Sequence, residues 1–539
     1  MKLNRFGVGA IALAASGALV LSGCSTNGGD NAGSGDNSGK AIITANGSEP
    51  ENGLVPTNTN ETGGGRIINS LFTGLVSYDA KGAPQLDVAK SITTEDSQHF
   101  TVVLNDDREF SNGEKVTAKS FVDAWNWAAQ VSSKQNNQSF FEDIEGFNAE
   151  ADSELTGLKV VSDTEFTITL NQPVSDFELR LGYSAYVPLP EGAIKDAAAF
   201  GEHPIGNGPY KLAGDKAWTH KENIKLVKNE KYKGPREAKN DGLTIVFYSD
   251  PTAAYADLRS NNLDVLDQIP SSDLAKFQDD LGKRAINQPA AIFQSFTIPE
   301  RLEHFSGEEG KLRRAAISQA INRPQITKTI FSETRTPAHD FTSPVIPGYS
   351  ADVEGSDVVN FNADKAKELW AQADAIKPWS GTFQIAYNAD GGHQSWVDAV
   401  TNQLKNVLGI DASGAPVPVF SAFRQEVTSG NIQTAFRTGW QGDYPGLYNF
   451  LAPLYATGAS SNDGKYSNPE VDALLKDGLA ATNIDDANKK FQAAQTILFT
   501  DLPAIPLWYS TVNGGFSDKV DNVVFSWNSQ PIYEGITKK

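Results

Sequence analysis

Cysteine is almost absent from this chain: Cys24 is the only one in 539 residues. Without a second thiol there is no disulfide framework, so stability must come from core packing. Histidine is sparse too. His99, His203, His220, His304, His339 and His393 are scattered without HExxH or HxH spacing, which argues against a zinc site. There is no GxSxG elbow, Walker loop or GxGxxG fingerprint; Gly63-Gly64-Gly65 is a glycine run lacking the strand and helix context of a dinucleotide loop. The stretch at Asp106-Asp107 lacks the ligand spacing of an EF-hand. Carboxylates are plentiful, but sequence cannot measure the separation that would make two of them a glycosidase pair. Catalysis therefore has no positive signal, and neither cofactor nor metal is expected. Positive charge is short as well, with 46 Lys and Arg against 66 Asp and Glu and a formal net charge of −20. Such a surface disfavours nucleic acid and anionic headgroups.

Only one apolar run approaches the length of a membrane span. Lys2 and Arg5 precede the stretch Phe6 to Leu21, and Leu21-Ser22-Gly23-Cys24 closes it. This is the layout of a secretory leader, and the last four residues resemble the bacterial lipobox, in which the cysteine is acylated and becomes the mature N-terminus. An ordinary leader with a lone thiol and an uncleaved helix are the alternatives. Ser25 to Lys40 follows with Gly, Ser, Asn and Asp and no apolar anchor, a flexible tether spanning roughly 20 to 25 Å. The expected division is a leader over 1–23, a tether over 24–40 and a globular body outside the membrane. The body is long enough for two to four structural units.

Within the body, short strands and capped helices alternate, the pattern of an α/β or α+β protein. Strands are expected at Ala41 to Ala45, His99 to Leu104, Glu165 to Leu170, Ile224 to Val227, Leu243 to Tyr248 and Thr382 to Tyr387. In the third, Phe166, Ile168 and Leu170 share one face. Asn468-Pro469-Glu470 supplies an N-cap, an N1 proline and a first-turn acid for a helix burying Val471, Leu474 and Leu475. Ser395 is placed to cap a helix with Val397, Val400, Leu404, Val407 and Leu408 inward and Gly409 as its stop. A third helix begins at Asn362 and aligns Ala366, Leu369, Trp370 and Ala373. Pro/Gly-rich joints near 188–209 and 336–348 are too short and too apolar for free linkers.

The richest chemical cluster is Arg437-Thr438-Gly439-Trp440-Gln441-Gly442-Asp443-Tyr444-Pro445-Gly446. A cation, a carboxylate, two aromatics and glycines together let backbone and charge approach a ligand closely. On composition alone it is equally a turn with a local Arg-Asp pair. Continued by Leu447-Tyr448-Asn449-Phe450-Leu451, it resembles the "GW…DY…P…FL" segment of family 5 solute-binding proteins, the oligopeptide-binding receptors of ABC importers. Further matches lie at FSNGEKVTAKSFVDAWN (110–126), NGPY (207–210), RAAISQAINR (314–323, with Asn322 in place of the usual aspartate), YSNPEVD (466–472) and LPAIPLWY (502–509).

The resemblance implies an α/β, two-lobed periplasmic-binding-protein-like fold of the large cluster C type with an extra subdomain in lobe one. Lobe one would comprise 41–72, 200–292 and 508–539, the inserted subdomain 73–199, and lobe two 293–507, with hinge strands near Phe293-Gln294 and Leu507-Trp508. It implies a non-catalytic, lipid-anchored receptor, expected to be monomeric, that holds an extended oligopeptide between its lobes and delivers it to an ABC permease and its ATPase. Asp443 would pair with the ligand α-ammonium, and Arg437 would stand near the carboxylate of short peptides. His393 matches a histidine of that region, and equally fits a solvated surface residue. Trp440, Tyr444 and Gly439 would supply walls and backbone contacts, with Phe293, Asn60, Glu61 and Thr62 lining the cleft. An oligosaccharide or another solute in the same fold is the nearest alternative; a surface-anchored hydrolase and a sensing or adhesion lipoprotein come from other classes.

Overall fold

Two thirteen-residue strands, Ala285–Thr297 and Ala504–Phe516, run antiparallel and form the spine of the computed structural model. The model describes residues 41–59, 61–418, 420–459 and 461–539. Cys24, the leader, the tether and Asn60 lie outside the described residues. Ala41–Lys539 is a single compact unit.

The spine ladder is regular from Ala285 to Pro289 and breaks between Pro289 and Phe293. Proline has no N–H to give to a ladder, and strand interiors tolerate it at bulges or edges. The extra residues are satisfied from elsewhere. Ala291 N donates to Trp527 O at 2.8 Å and its carbonyl accepts from Gly442 N at 2.9 Å, while Ser343 Oγ donates to Ala290 O at 3.0 Å.

On either side of this break the spine acquires different neighbours. At one end Val265–Leu266 pairs with Phe516 and Gly515, and the sheet continues through Ile42–Gly47, Gly242–Phe247, Asn223–Lys228 and Tyr210–Leu212. At the other end Ala435–Gln441 pairs with residues 292–297, followed in parallel by Phe383–Asn388 and Ala412–Val417. A single twelve-stranded sheet thus serves two α/β lobes. The extra subdomain is built on a separate four-stranded antiparallel sheet, in the order Ala89–Thr93, His99–Leu104, Glu165–Thr169, Leu158–Ser162. Its core is aromatic: Phe121 stacks on Phe166 at 5.8 Å, and Trp125 meets Phe166 edge-on at 5.9 Å.

The local signals act much as their chemistry suggests. The strand expected at His99 to Leu104 has those bounds, and the other five agree to within one or two residues at each end. In Glu165–Thr169 Phe166 and Ile168 are fully buried while the intervening threonines are half-buried. Asn468 accepts from Glu470 N and Asn362 from Lys365 N, each capping its helix. Gly409 ends Gln394–Leu408 with φ of 71°, a left-handed position that favours glycine. That helix starts earlier than expected, with His393 in the N-cap position and Ser395 inside the first turn. Among the described residues no helix is long and apolar enough to cross a membrane.

Candidate functional site

Strand Ala435–Gln441 ends against a cavity of about 590 Å³, within the range typical of small-ligand sites. Its walls come from segments far apart in sequence. Glu61, Thr62 and Arg66 lie at the start of helix Thr62–Leu71, Tyr78 and Tyr183 flank the four-stranded sheet in the chain, Gly439 to Asp443 close and follow the strand, and Trp527 and Tyr533 come from the C-terminal segment. Trp527 meets Tyr78 edge-on at 5.7 Å, making one aromatic corner.

Asp443 is the chemical centre of this cavity. Its Oδ2 accepts from Asn449 Nδ2 at 3.0 Å, and its own N–H donates to Asn449 Oδ1 at 2.8 Å. The same oxygen takes the indole Nε1–H of Trp440 at 3.3 Å. Burial pushes the Asp443 carboxyl above its ordinary range, with the Asn449 amide pulling the other way. Burial also pushes the Tyr78 and Tyr183 phenols well up, so both are neutral at physiological pH. A desolvated carboxylate whose partner is an amide rather than a cation is prepared for a positively charged guest.

Glu61 lines the cavity and also holds its wall together. Both of its carboxylate oxygens accept from Gly64 N, at 2.8 and 2.9 Å, so Glu61 is the N-cap of Thr62–Leu71. A Cβ on Gly64 would sit 2.3 Å from Glu61 Oε1, and one on Gly63 2.4 Å from Ser48 Oγ. The glycine run that resembles no nucleotide loop is a capped helix start with no room for a side chain at Gly63 or Gly64. Gly439 is different: a Cβ there would meet Gln294 Nε2 at 3.5 Å, an ordinary contact, so packing does not require the glycine.

Two expected wall residues face elsewhere. Tyr444 is buried on the side away from the cavity, where its hydroxyl donates to Asp176 Oδ2 at 2.9 Å. Arg180 lies 5.5 Å over its ring and bonds Asp176 at 3.0 Å and Asp143 at 2.6 Å. This buried network takes the tyrosine although its neighbour Asp443 lines the cavity. Phe293 is fully buried beside the spine break, 6.2 Å from Phe341 and 6.3 Å from Tyr509. It belongs to the core that carries the spine.

Arg437 and His393 form a second group. Arg437 donates to Asn388 Oδ1 at 2.9 and 2.6 Å, with its guanidinium 5.1 Å from the ring centres of both Phe420 and Phe423. His393 Nδ1 accepts from Trp396 Nε1 at 3.1 Å. Both adjoin the turn at Gly391, where an added Cβ would lie 2.5 Å from Asn388 Nδ2 and 2.6 Å from His393 Nε2. They do not line the cavity around Asp443. Sequence reasoning missed Asn449, Tyr78, Tyr183 and Trp527. Asn449 stood in plain view inside the LYNFL segment; the others had no local signal.

Residues 83–462 match the model of the bacterial extracellular solute-binding proteins, family 5 middle region. The chain belongs to this family. The solute-binding protein is 25% identical over 477 residues to the oligopeptide-binding protein OppA of Bacillus subtilis, covering 85% of each chain. Its fold is that of the Escherichia coli murein tripeptide binding protein MppA, with a TM-score of 0.75 at 20% identity over 93% of this chain and 99% of the other. Haemophilus influenzae OppA in complex with RPPGFSPFR gives a TM-score of 0.73 at 23% identity, again over 93% and 99%. The family is one of extracytoplasmic binding proteins, and this member is not an enzyme. Among the described residues no group of histidine, cysteine and carboxylate side chains could hold a metal ion.

Proposed function

We propose that this solute-binding protein is a lipid-anchored receptor that captures oligopeptides between its lobes outside the cell and passes them to an ABC permease. The observation that carries the reading is Asp443, a carboxylate desolvated at the cavity wall and hydrogen-bonded, among the described residues, by the Asn449 amide. An α-ammonium group supplies the missing cation, and every unmodified peptide has one. The likeness to proteins described as oligopeptide-binding, murein tripeptide binding and in complex with RPPGFSPFR supports the same ligand class. An extended peptide would satisfy its backbone against strand Ala435–Gln441, with hydrated space for varied side chains. Arg437 and His393, gathered about Gly391, stand further along as partners for the far end of a short ligand.

In this reading the spine break at Pro289 to Phe293 is the hinge on which the lobes close. Lobe one is then 41–72, 200–292 and 508–539, the insertion 73–199, and lobe two 293–507. Cys24 carries the lipid, and the tether keeps a monomeric receptor close to its permease.

Aromatic walls at Trp440, Trp527 and Tyr78 support a second reading, in which sugar rings stack on them. Mass spectrometry of ligand released from the purified full chain separates the two. Peptides with free amino termini are the expected cargo. Oligosaccharide in their place would overturn the peptide reading.

A further inference from the structure

Asn449 touches both functional groups at this end of the cavity. It sits 4% exposed in the first turn of helix Leu447–Tyr455. Its Oδ1 receives two donors, the Asp443 N–H at 2.8 Å and the Trp440 indole N–H at 3.3 Å, while its Nδ2 donates to Asp443 Oδ2 at 3.0 Å. This arrangement admits one orientation of the amide. Turned over, the NH₂ group would face two donors and the oxygen would face a carboxylate, losing all three bonds. Trp440 and the backbone of Asp443 therefore fix the amide, and the amide fixes the carboxylate.

We infer that Asn449 is a positioning residue that makes the site selective for a free primary ammonium, holding one Asp443 oxygen so that the other is presented to the cavity with the Trp440 ring beside it. The inference rests on the peptide reading above. A carboxylate free to rotate would turn toward water or solvate itself on the Asp443–Trp440 backbone. Held by Asn449, it meets an ammonium without first losing that freedom, and an acylated amine gains nothing from it. The groups that face Asp443 from the segments flanking the four-stranded sheet are the Tyr78 and Tyr183 phenols, both neutral.

The test uses the immobilised full chain and a pool of tri- to pentapeptides, offered with free amino termini and again N-acetylated, with the bound fraction read by mass spectrometry. Wild type is expected to favour the free pool, and Asn449→Leu to reduce that preference about tenfold, the loss of one charge-assisted hydrogen bond. In an Asp443→Asn background the same substitution should change nothing further, because its action passes through the carboxylate. Asn449→Asp keeps the volume and both acceptor contacts but sets a like charge against Asp443. Two facing carboxylates favour the uptake of one proton by the pair, after which the neutral partner can donate to the remaining carboxylate as the amide did, so the preference of this variant should return toward that of wild type as pH falls. A role in packing alone would leave its preference without that recovery. Wild-type preference at every pH in both Asn449 variants, with preference lost in Asp443→Asn, would overturn the positioning role. Absence of any preference in wild type would instead overturn the peptide reading, and this inference with it.

Discussion

Replacing Asp443 by asparagine should separate binding from stability in opposite directions. The substitution keeps the volume of the side chain and the oxygen that accepts from Asn449 Nδ2, and removes only the charge. A buried, charge-assisted contact deprived of one partner costs about 2 to 5 kcal/mol. Here water in the cavity can partly solvate the stranded ammonium, which places the expectation at about 2 to 3 kcal/mol, or roughly 30- to 150-fold in Kd. The empty protein should respond differently. Burial raises the Asp443 carboxyl above its unfolded value, so the native state holds its proton to higher pH than the unfolded chain does. Stability from this group therefore falls as pH rises through the interval between the two values, and at pH 7 the ionised side chain is a burden. Asp443→Asn removes that burden, so the ligand-free melting temperature at pH 7 should stay level or rise. Calorimetric titration with the free-amine peptide that wild type retains, together with thermal melts with and without it, measures both. Saturation at about 100 Kd stabilises wild type by roughly 2.7 kcal/mol, and most of that increment should vanish in the variant. Unchanged affinity, or a ligand-free melting temperature several degrees lower, would show that Asp443 is a structural carboxylate.

Tyr444→Phe deletes the hydroxyl that donates to buried Asp176 and should cost about 1 to 3 kcal/mol in denaturant unfolding, with far less effect on ligand preference than Asp443→Asn. Asp340 is fully buried, receives hydrogen bonds from Thr342 and Tyr509, and is pushed by burial up to about 6. Its raised value means that stability falls as pH climbs from about 4 to 6, by up to about 3 kcal/mol, and Asp340→Asn should flatten that part of a melting-temperature profile. Gly208 donates its N–H to Leu71 O at 2.8 Å, and a Cβ there would lie 2.6 Å from Leu71 C and Phe72 N. Gly208→Ala must move backbone and should lower stability by about 1 to 3 kcal/mol in the same unfolding assay; a neutral result would mean that the joint at 188–209 yields easily.

Much of this molecule is readable one segment at a time. The caps at Asn362 and Asn468, the stop at Gly409 and the alternation of Phe166 and Ile168 act over a few residues, so their chemistry survives whatever surrounds them. The segment from Arg437 to Asp443 is likewise contiguous, which is why its charge, aromatic and glycines stand out before any fold is known. What such signals cannot tell is which way a side chain looks. Tyr444 follows Asp443 directly, yet it turns to Asp176, more than two hundred residues away in sequence. Phe293 adjoins the spine break but is enclosed by Phe341 and Tyr509. Asn449, an unremarked polar residue in an apolar helix, becomes the partner of both Trp440 and Asp443 because the chain doubles back within a single turn. Composition and local pattern set the elements, the expectation of a leader and the family resemblance, since these depend on neighbours in the chain. The cavity, the burial that raises Asp443 and the assignment of each side chain to wall or core depend on desolvation by distant segments, and desolvation exists only once the lobes are folded together.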